Sequence, residues 1–138
     1  GAKLIVLVNP RVPFHNDRDA TYLPSLSYGK RSQIDELGIL FTWEQAKRIE
    51  CREKLLLALN YYRQTQPDID ILLFEPGDDE ALLFFQGPMS ISARTQVMQY
   101  GYQLTLTEIK GNYQEMAGIF ARHGIQTTEK NLDKAPPE

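Results

Sequence analysis

Residues 68–76 (DIDILLFEP) form the stretch that decides the fold. Four consecutive apolar residues, 71–74, run into glutamate, proline and glycine. A short unbroken apolar run that ends at proline and glycine predicts a strand buried on both faces, as in a parallel sheet. A second run of the same kind, residues 3–10 (KLIVLVNP), stands near the N-terminus and also ends in a polar residue followed by proline.

A strong helical pattern separates these two runs, and strand–helix–strand order is typical of a βαβ unit. We therefore predict an α/β fold with parallel strands at about 3–8 and 69–75. One long helix is expected at about 43–65. A second is expected at about 91–122, with a break near residue 111 because glycine costs about 1 kcal/mol relative to alanine inside a helix.

The first helix is predicted to begin with a capping box of Thr42 and Gln45 and to end before Pro67. The sequence predicts a buried apolar face on this helix, made of Ala46, Ile49, Leu56, Leu59 and Tyr62. Its charged residues are expected to pair with one another along the helix, which involves Glu44, Lys47, Arg48, Glu50, Arg52, Glu53 and Lys54. Cys51 has no histidine partner on this helix, so we expect a buried, inert thiol.

The end of the second helix carries its own signals. Asn112 and Glu115 are placed to cap a segment after the break, and Gly124 is placed to end it in the left-handed conformation. His123 is expected to interact with the last carbonyls of the helix. Residues 1–125 are thus predicted to be a single α/β domain, or the C-terminal part of a larger one, followed by a flexible tail at 126–138.

Composition narrows the class of protein. The chain has 138 residues, a net charge of −3, 42% apolar residues and 24% charged residues, which excludes disordered and disulfide-rich classes and predicts no nucleic-acid partner. A single cysteine fits a reducing compartment such as the cytoplasm. No apolar run reaches the roughly 18 residues of a transmembrane helix. The chain opens almost directly into a strand, so its start is expected to be a cut in a longer sequence.

Catalytic signatures are absent from the sequence. It contains no Gly-x-Ser-x-Gly, no P-loop, no Gly-x-Gly-x-x-Gly, no Cys-x-x-Cys and no His-Glu-x-x-His. The two histidines, His15 and His123, both lie near predicted loops, which disfavours a histidine-based triad. We therefore assign no catalytic residue, no metal ligand and no cofactor from the residues alone.

Acidic loops leave one alternative open. Five carboxylates follow the carboxyl ends of the predicted strands, where α/β proteins place their sites. If they converged they could hold a hard cation, although their spacing lacks the alternation of a calcium loop and a solvated acidic turn is the competing interpretation. These residues are Asp17, Asp19, Glu75, Asp78 and Asp79.

Several short strings resemble one known family. The segments at 71–76 (ILLFEP), 84–85 (FF), 89–94 (MSISAR) and 100–102 (YGY) look like the C-terminal region of bacterial patatin-like phospholipases. Residues 1–14 are similar to the strand and loop that follow the catalytic aspartate of that family, and residues 122–125 resemble the end of its last helix.

The resemblance implies a patatin-like sandwich with a Ser–Asp dyad and a glycine-rich oxyanion hole, all upstream of this chain. The chain alone would then be inactive, and a lipid or acyl-ester substrate would be bound through the N-terminal part it lacks. Peripheral membrane contact is compatible with this family. Four apolar residues are the candidates for a position near substrate or membrane: Phe14, Phe84, Phe85 and Met89.

The alternative function belongs to another class, a non-catalytic binding or interaction domain that self-associates. Two helices on two strands can form a small core, but a two-stranded sheet is marginal on its own. An apolar face left open would be buried against a second copy. Both hypotheses therefore predict self-association of the isolated chain.

Overall fold

A computed structural model describes residues 1–15, 34–80, 83–84 and 91–133. Within these ranges the chain is mixed α/β, with two strands in one parallel sheet and three helices, which confirms the predicted fold class at this level. The elements are β1 (Leu4–Val8), α1 (Ile39–Thr65), β2 (Asp70–Phe74), α2 (Ile91–Gly111) and α3 (Tyr113–Arg122). Short 3-10 turns occur at Asp35–Leu37 and Glu129–Asn131.

The two apolar runs form the parallel sheet as predicted, but β1 is not buried on both faces, since Ile5, Val6 and Val8 are exposed. They pair in parallel, with Leu4 opposite Asp70 and Val8 opposite Phe74, and both strands lie within about one residue of their predicted bounds. Leu72, at the centre of β2, is buried. The sheet is therefore the element that joins the beginning and the middle of the chain.

Helix α1 begins four residues earlier than predicted, so the expected capping box is wrong. Gly38 takes the N-cap position with φ 93°, a conformation that favours glycine, and its carbonyl accepts the backbone N–H groups of Phe41 and Thr42. The Gln45 side chain bonds instead to the backbone of Phe14: its Oε1 accepts from the N–H at 3.0 Å and its Nε2 donates to the carbonyl at 2.6 Å. Gln45 thus ties α1 to the segment after β1.

The predicted apolar face of α1 is wrong for three of its five residues, and Leu56 is half-buried. Leu59 is buried, but Ala46, Ile49 and Tyr62 are exposed. The Cys51 thiol, predicted to be buried, is exposed as well.

The buried face of α1 is centred on Arg48, which is only 8% exposed. Its guanidinium donates to the Glu44 carboxylate at 3.0 Å and to the carbonyl of Val12 at 3.2 Å. It also donates to the carbonyl of Leu83 at 3.5 Å and lies 4.9 Å from the centre of the Phe84 ring. Arg48 is buried because these groups together replace the water that a cation loses on burial.

The expected charge pairing along α1 occurs only in part. Glu50 bonds both Lys47 at 2.8 Å and Lys54 at 2.6 Å, and these two lysines lower the pKa of Glu50 to about 2. Arg52, in contrast, reaches across to Glu75 after β2. Arg48 and Arg52 therefore connect α1 to other segments of the fold, whereas Lys47 and Lys54 pair with Glu50 along the helix.

The break between α2 and α3 falls at Gly111-Asn112, as predicted. The Asn112 side chain does not cap α3; it donates to the carbonyl of Glu108 at 3.2 Å. Gly124 ends α3 with φ 73°, its N–H bonding Ala121 while the next N–H bonds Phe120, which is a Schellman motif.

Asp70 fastens the end of α3 to the amino end of β2. Its carboxylate accepts from Arg122 at 2.8 Å and lies 2.7 Å from Nε2 of His123. His123 therefore interacts with Asp70, which corrects the expected interaction with the last helical carbonyls. The hydrogen bond from Arg122, and after it the one with His123, hold the pKa of Asp70 below its usual range.

Replacing Arg48 by alanine is expected to lower the free energy of unfolding by about 2 kcal/mol, since the hydrogen bonds of a buried charged group are lost. Urea denaturation measures this change. The matched control is Arg63→Ala, in the exposed last turn of the same helix, with an expected change of less than about 0.5 kcal/mol. Equal losses for both variants would contradict the anchoring role of Arg48.

Asp70→Asn is expected to destabilise the protein at neutral pH, with a deficit that shrinks in acid. A carboxyl with a lowered folded-state pKa stabilises the fold above its unfolded pKa, here 3.8, and this contribution is lost as the pH falls through the folded value. Denaturation midpoints from about pH 7 to about pH 3 measure the difference. Asp68→Asn, at an exposed pair 3.7 Å from Lys3, is the control with little expected change. A deficit independent of pH would show that the charge of Asp70 is not the cause.

Candidate functional site

A cavity of about 640 Å³ opens at the carboxyl ends of both strands, between them and α2. This is the edge where parallel sheets place binding sites, and the volume suits a small molecule. Most of its wall is apolar, contributed by Val8, Pro10, Phe74, Pro76, Leu83, Val97, Met98 and Leu104. The strands supply one side of the cavity and α2 supplies the other.

The spacing of residues on α2 explains how the helix forms this wall. Val97, Gly101, Leu104 and Glu108 recur at helical intervals and therefore share one face. A Cβ built on Gly101 meets no described atom within 4 Å. Gly101 thus leaves room in the wall that a larger side chain would occupy.

Glu75 provides a fixed charge at the polar end of the cavity. Asn9 donates to its Oε1 at 2.7 Å, and Arg52 donates to its Oε2 at 3.2 Å. The Glu75 side chain is only 13% exposed, so these two donors compensate its loss of water. The carboxylate is held between β1 and α1, which fixes its direction relative to the strand ends.

Glu108 faces the same cavity from α2 and has a different environment. Burial, and then the nearby charge of Glu75, raise the pKa of the Glu108 carboxyl above its ordinary value. A carboxyl of this kind takes up a proton more readily than an exposed one. The polar end of the cavity therefore carries two carboxyl groups, Glu75 and Glu108, whose oxygens can accept hydrogen bonds from the head of an apolar molecule.

The acidic turn beyond Glu75 has structural partners. The Tyr100 hydroxyl of α2 donates to the Glu80 carboxylate, and this bond, followed by burial, raises the pKa of Tyr100 to about 12. Among the described residues there is no group of three or more His, Cys, Asp or Glu side chains that could hold a metal ion. Asp17 and Asp19, the other half of the hypothetical cation site, lie outside the described residues.

Two of the four predicted substrate- or membrane-proximal residues lie in a buried cluster. Phe14 and Phe84 pack with Ile34, and the centres of the two rings are 5.5 Å apart. Neither lines the cavity, although the neighbouring Leu83 does. Phe85 and Met89 lie outside the described residues. Contact of these residues with substrate or membrane stays a prediction.

Of the polar groups at this end of the cavity, the sequence pointed only to Glu75, as a candidate cation ligand, and gave no prediction for Glu108, Asn9 or Arg52. The signal for Glu108 was its place on the stripe of Val97 and Leu104, where a carboxylate interrupts apolar helical spacing. Asn9 and Arg52 gave no such signal, because their partner Glu75 is distant in the sequence.

No family model, curated protein or solved structure matches the chain. Among the described residues, none of the helices combines the length and the apolar character that crossing a membrane requires.

Glu108→Gln is expected to stabilise the protein at neutral pH and to leave its stability unchanged in acid. Because the folded state raises the pKa of Glu108, stability falls as the pH rises from the unfolded toward the folded value, and glutamine removes this loss. Urea midpoints from about pH 4 to about pH 8 measure the effect. Glu115→Gln, at an exposed position on α3, is the control. A destabilised Glu108→Gln protein at pH 8 would contradict the argument.

Proposed function

We propose that the chain is the C-terminal portion of a patatin-like phospholipase, a lipid acyl ester hydrolase. It would supply a wall of the acyl-chain pocket but not the Ser–Asp dyad. The observation that carries this proposal is the apolar cavity at the strand ends. Three of the segments that resemble the family contribute to it: residues 1–14 supply Val8, residues 71–76 supply Phe74, and residues 100–102 supply Gly101.

In this proposal the upstream serine attacks the ester carbonyl and forms an acyl-enzyme, which water then releases. The residues of this chain bind the acyl chain and orient the ester. Each methylene of an acyl chain buried against the cavity wall contributes about 0.8 kcal/mol. Glu75 and Glu108 lie at the polar end, where they can meet the ester or the released head group. The substrate is a lipid or another acyl ester, and the proposed setting is cytoplasmic with peripheral membrane contact.

Gly101→Leu tests the role of the cavity because leucine fills the space that glycine leaves open. Titration with dodecanol is expected to show binding by the original chain and at least about a tenfold weaker affinity for this variant, a loss of about 1.4 kcal/mol. Gly118→Leu, on α3 and away from the cavity, is the matched control. A Cβ built at Gly118 also meets no described atom within 4 Å. This variant is expected to bind as the original does.

The same preparations are expected to leave p-nitrophenyl octanoate unhydrolysed, since no catalytic residue is assigned to this chain. Both glycine replacements favour helix by about 0.5–1 kcal/mol, so loss of fold does not explain a difference in binding. Equal binding by the Gly101 and Gly118 variants would contradict the acyl-pocket role. Robust turnover by the pure chain would contradict the assignment of the dyad to an upstream part.

A second candidate function is a non-catalytic interaction domain that self-associates. The specific observation in its favour is the exposure of large apolar side chains on the outer face of α1, where Ile39 and Trp43 are 82% and 59% exposed. This candidate requires neither acyl-chain binding nor an upstream catalytic part.

A further inference from the structure

The cavity at the strand ends carries charge of only one sign on its described wall. Among the described residues that line it, Glu75 and Glu108 have the only ionisable side chains, and both are acids. Arg52, which bonds Glu75, does not belong to this lining. The head group of a bound molecule therefore meets carboxylates, and a wall of this kind selects among head groups by their charge.

The two acids differ in the partners they already have. Asn9 donates to one oxygen of the Glu75 carboxylate at 2.7 Å, and Arg52 donates to the other at 3.2 Å. Within the described part of the chain, no hydrogen bond or ion pair reaches the Glu108 carboxylate, since the Asn112 side chain bonds the backbone carbonyl of Glu108 instead. Glu108 is therefore the residue whose carboxylate oxygens remain open to a ligand.

The surroundings of Glu108 favour a cation as the group that binds there. Burial first, and the charge of Glu75 second, raise the pKa of the Glu108 carboxyl. Both causes penalise its ionised form, and a positive charge placed beside the two carboxylates offsets them. A carboxylate head would instead add a third negative charge at this place, which is repulsive. A hydroxyl head donates a hydrogen bond but compensates neither charge.

Helix α2 sets the direction in which an alkyl chain lies in the cavity. Val97, Gly101 and Leu104 share the cavity face of the helix with Glu108, which stands at the C-terminal end of this row. The row extends over about 16 Å of helix. An alkyl chain that packs along its apolar part therefore has its polar head at Glu108.

We propose that the cavity selects amphiphiles with a positively charged ammonium head, which the Glu108 carboxylate binds directly while Glu75 adds its charge. The ligand class is a long-chain amine or an acyl ester of an amino alcohol. This inference deepens the proposed function and rests on it, because it takes the cavity to hold an acyl chain. It adds that the head of the substrate is a cation and that the released fatty acid, an anion, binds less tightly than the substrate.

Three ligands with the same alkyl chain separate the effect of the head from that of the chain: dodecylamine, dodecanol and dodecanoate. At about pH 8 the amine is cationic, like a lysine side chain, and the carboxylate is anionic. Calorimetric titration of the full chain, below the micelle concentration of each ligand, is expected to show dodecylamine binding about tenfold tighter than dodecanol and dodecanoate binding about tenfold weaker. Gly101→Leu is expected to weaken dodecylamine and dodecanol by the same factor, since both chains occupy the cavity.

Glu108→Gln tests the carboxylate itself. The ratio of the dodecylamine affinity to the dodecanol affinity is expected to fall at least about fivefold, because the amide has the same size but no charge. Glu115→Gln, at an exposed position on α3 outside the cavity lining, changes the net charge of the chain by the same amount and is expected to keep the original ratio. The pair of variants therefore separates a bound head group from general attraction between an amine and an acidic chain. Circular dichroism checks that both variants stay folded.

The outcomes distinguish this inference from the proposed function. Absence of dodecanol binding overturns the acyl-pocket role and this inference with it. Dodecanol or dodecanoate that binds at least as tightly as dodecylamine overturns the cationic head and leaves the acyl pocket standing. A preference for the amine that Glu108→Gln and Glu115→Gln reduce equally, or that neither reduces, also overturns the role of Glu108 and leaves the acyl pocket standing.

Discussion

The buried guanidinium of Arg48 is the contact on which the described structure most depends. It binds the carbonyl of Val12, which follows β1, and the carbonyl of Leu83, which follows β2. It also pairs with Glu44 on its own helix and lies over the Phe84 ring. A buried cation is costly unless its donors are satisfied, so these acceptors must remain together for α1 to pack as it does. One side chain thus joins three segments that are distant in the sequence.

The cavity follows from the same arrangement. Leu83, whose carbonyl accepts from Arg48, lines the cavity, and Arg52 lies one helical turn further along α1, where it orients Glu75. Two arginines on the inner face of α1 therefore position groups that follow the strands. Arg48 binds backbone carbonyls, and Arg52 binds the Glu75 carboxylate. Gly101 and Leu104 of α2 complete the wall from the other side. The apolar wall of the cavity and its polar end therefore both depend on how α1 packs.

The strands and the break near Gly111 could be predicted because they rest on local signals: apolar runs that end at proline, and glycine inside a helix. The orientation of α1 could not. Hydrophobic periodicity placed Ile49 and Tyr62 inside, whereas the fold buries Arg48 through tertiary acceptors that the local sequence does not show. The start of α1 depends on the left-handed conformation of Gly38, and the polar end of the cavity depends on pairs between distant segments. These features are visible only after the chain has folded.

Helix α1 exposes large apolar side chains on one face and packs against the fold with the opposite face. Hydrophobic periodicity therefore did not predict which face of the helix is buried. An amphipathic surface helix has one apolar face, whereas a helix between two partners requires two. The exposed side chains of Ile39, Trp43, Leu57 and Tyr61 lie on the helix face opposite Arg48, so covering them does not obstruct the cavity side of the helix. Self-association through these residues and the proposed binding of an acyl chain at the strand ends would therefore use different surfaces of the chain.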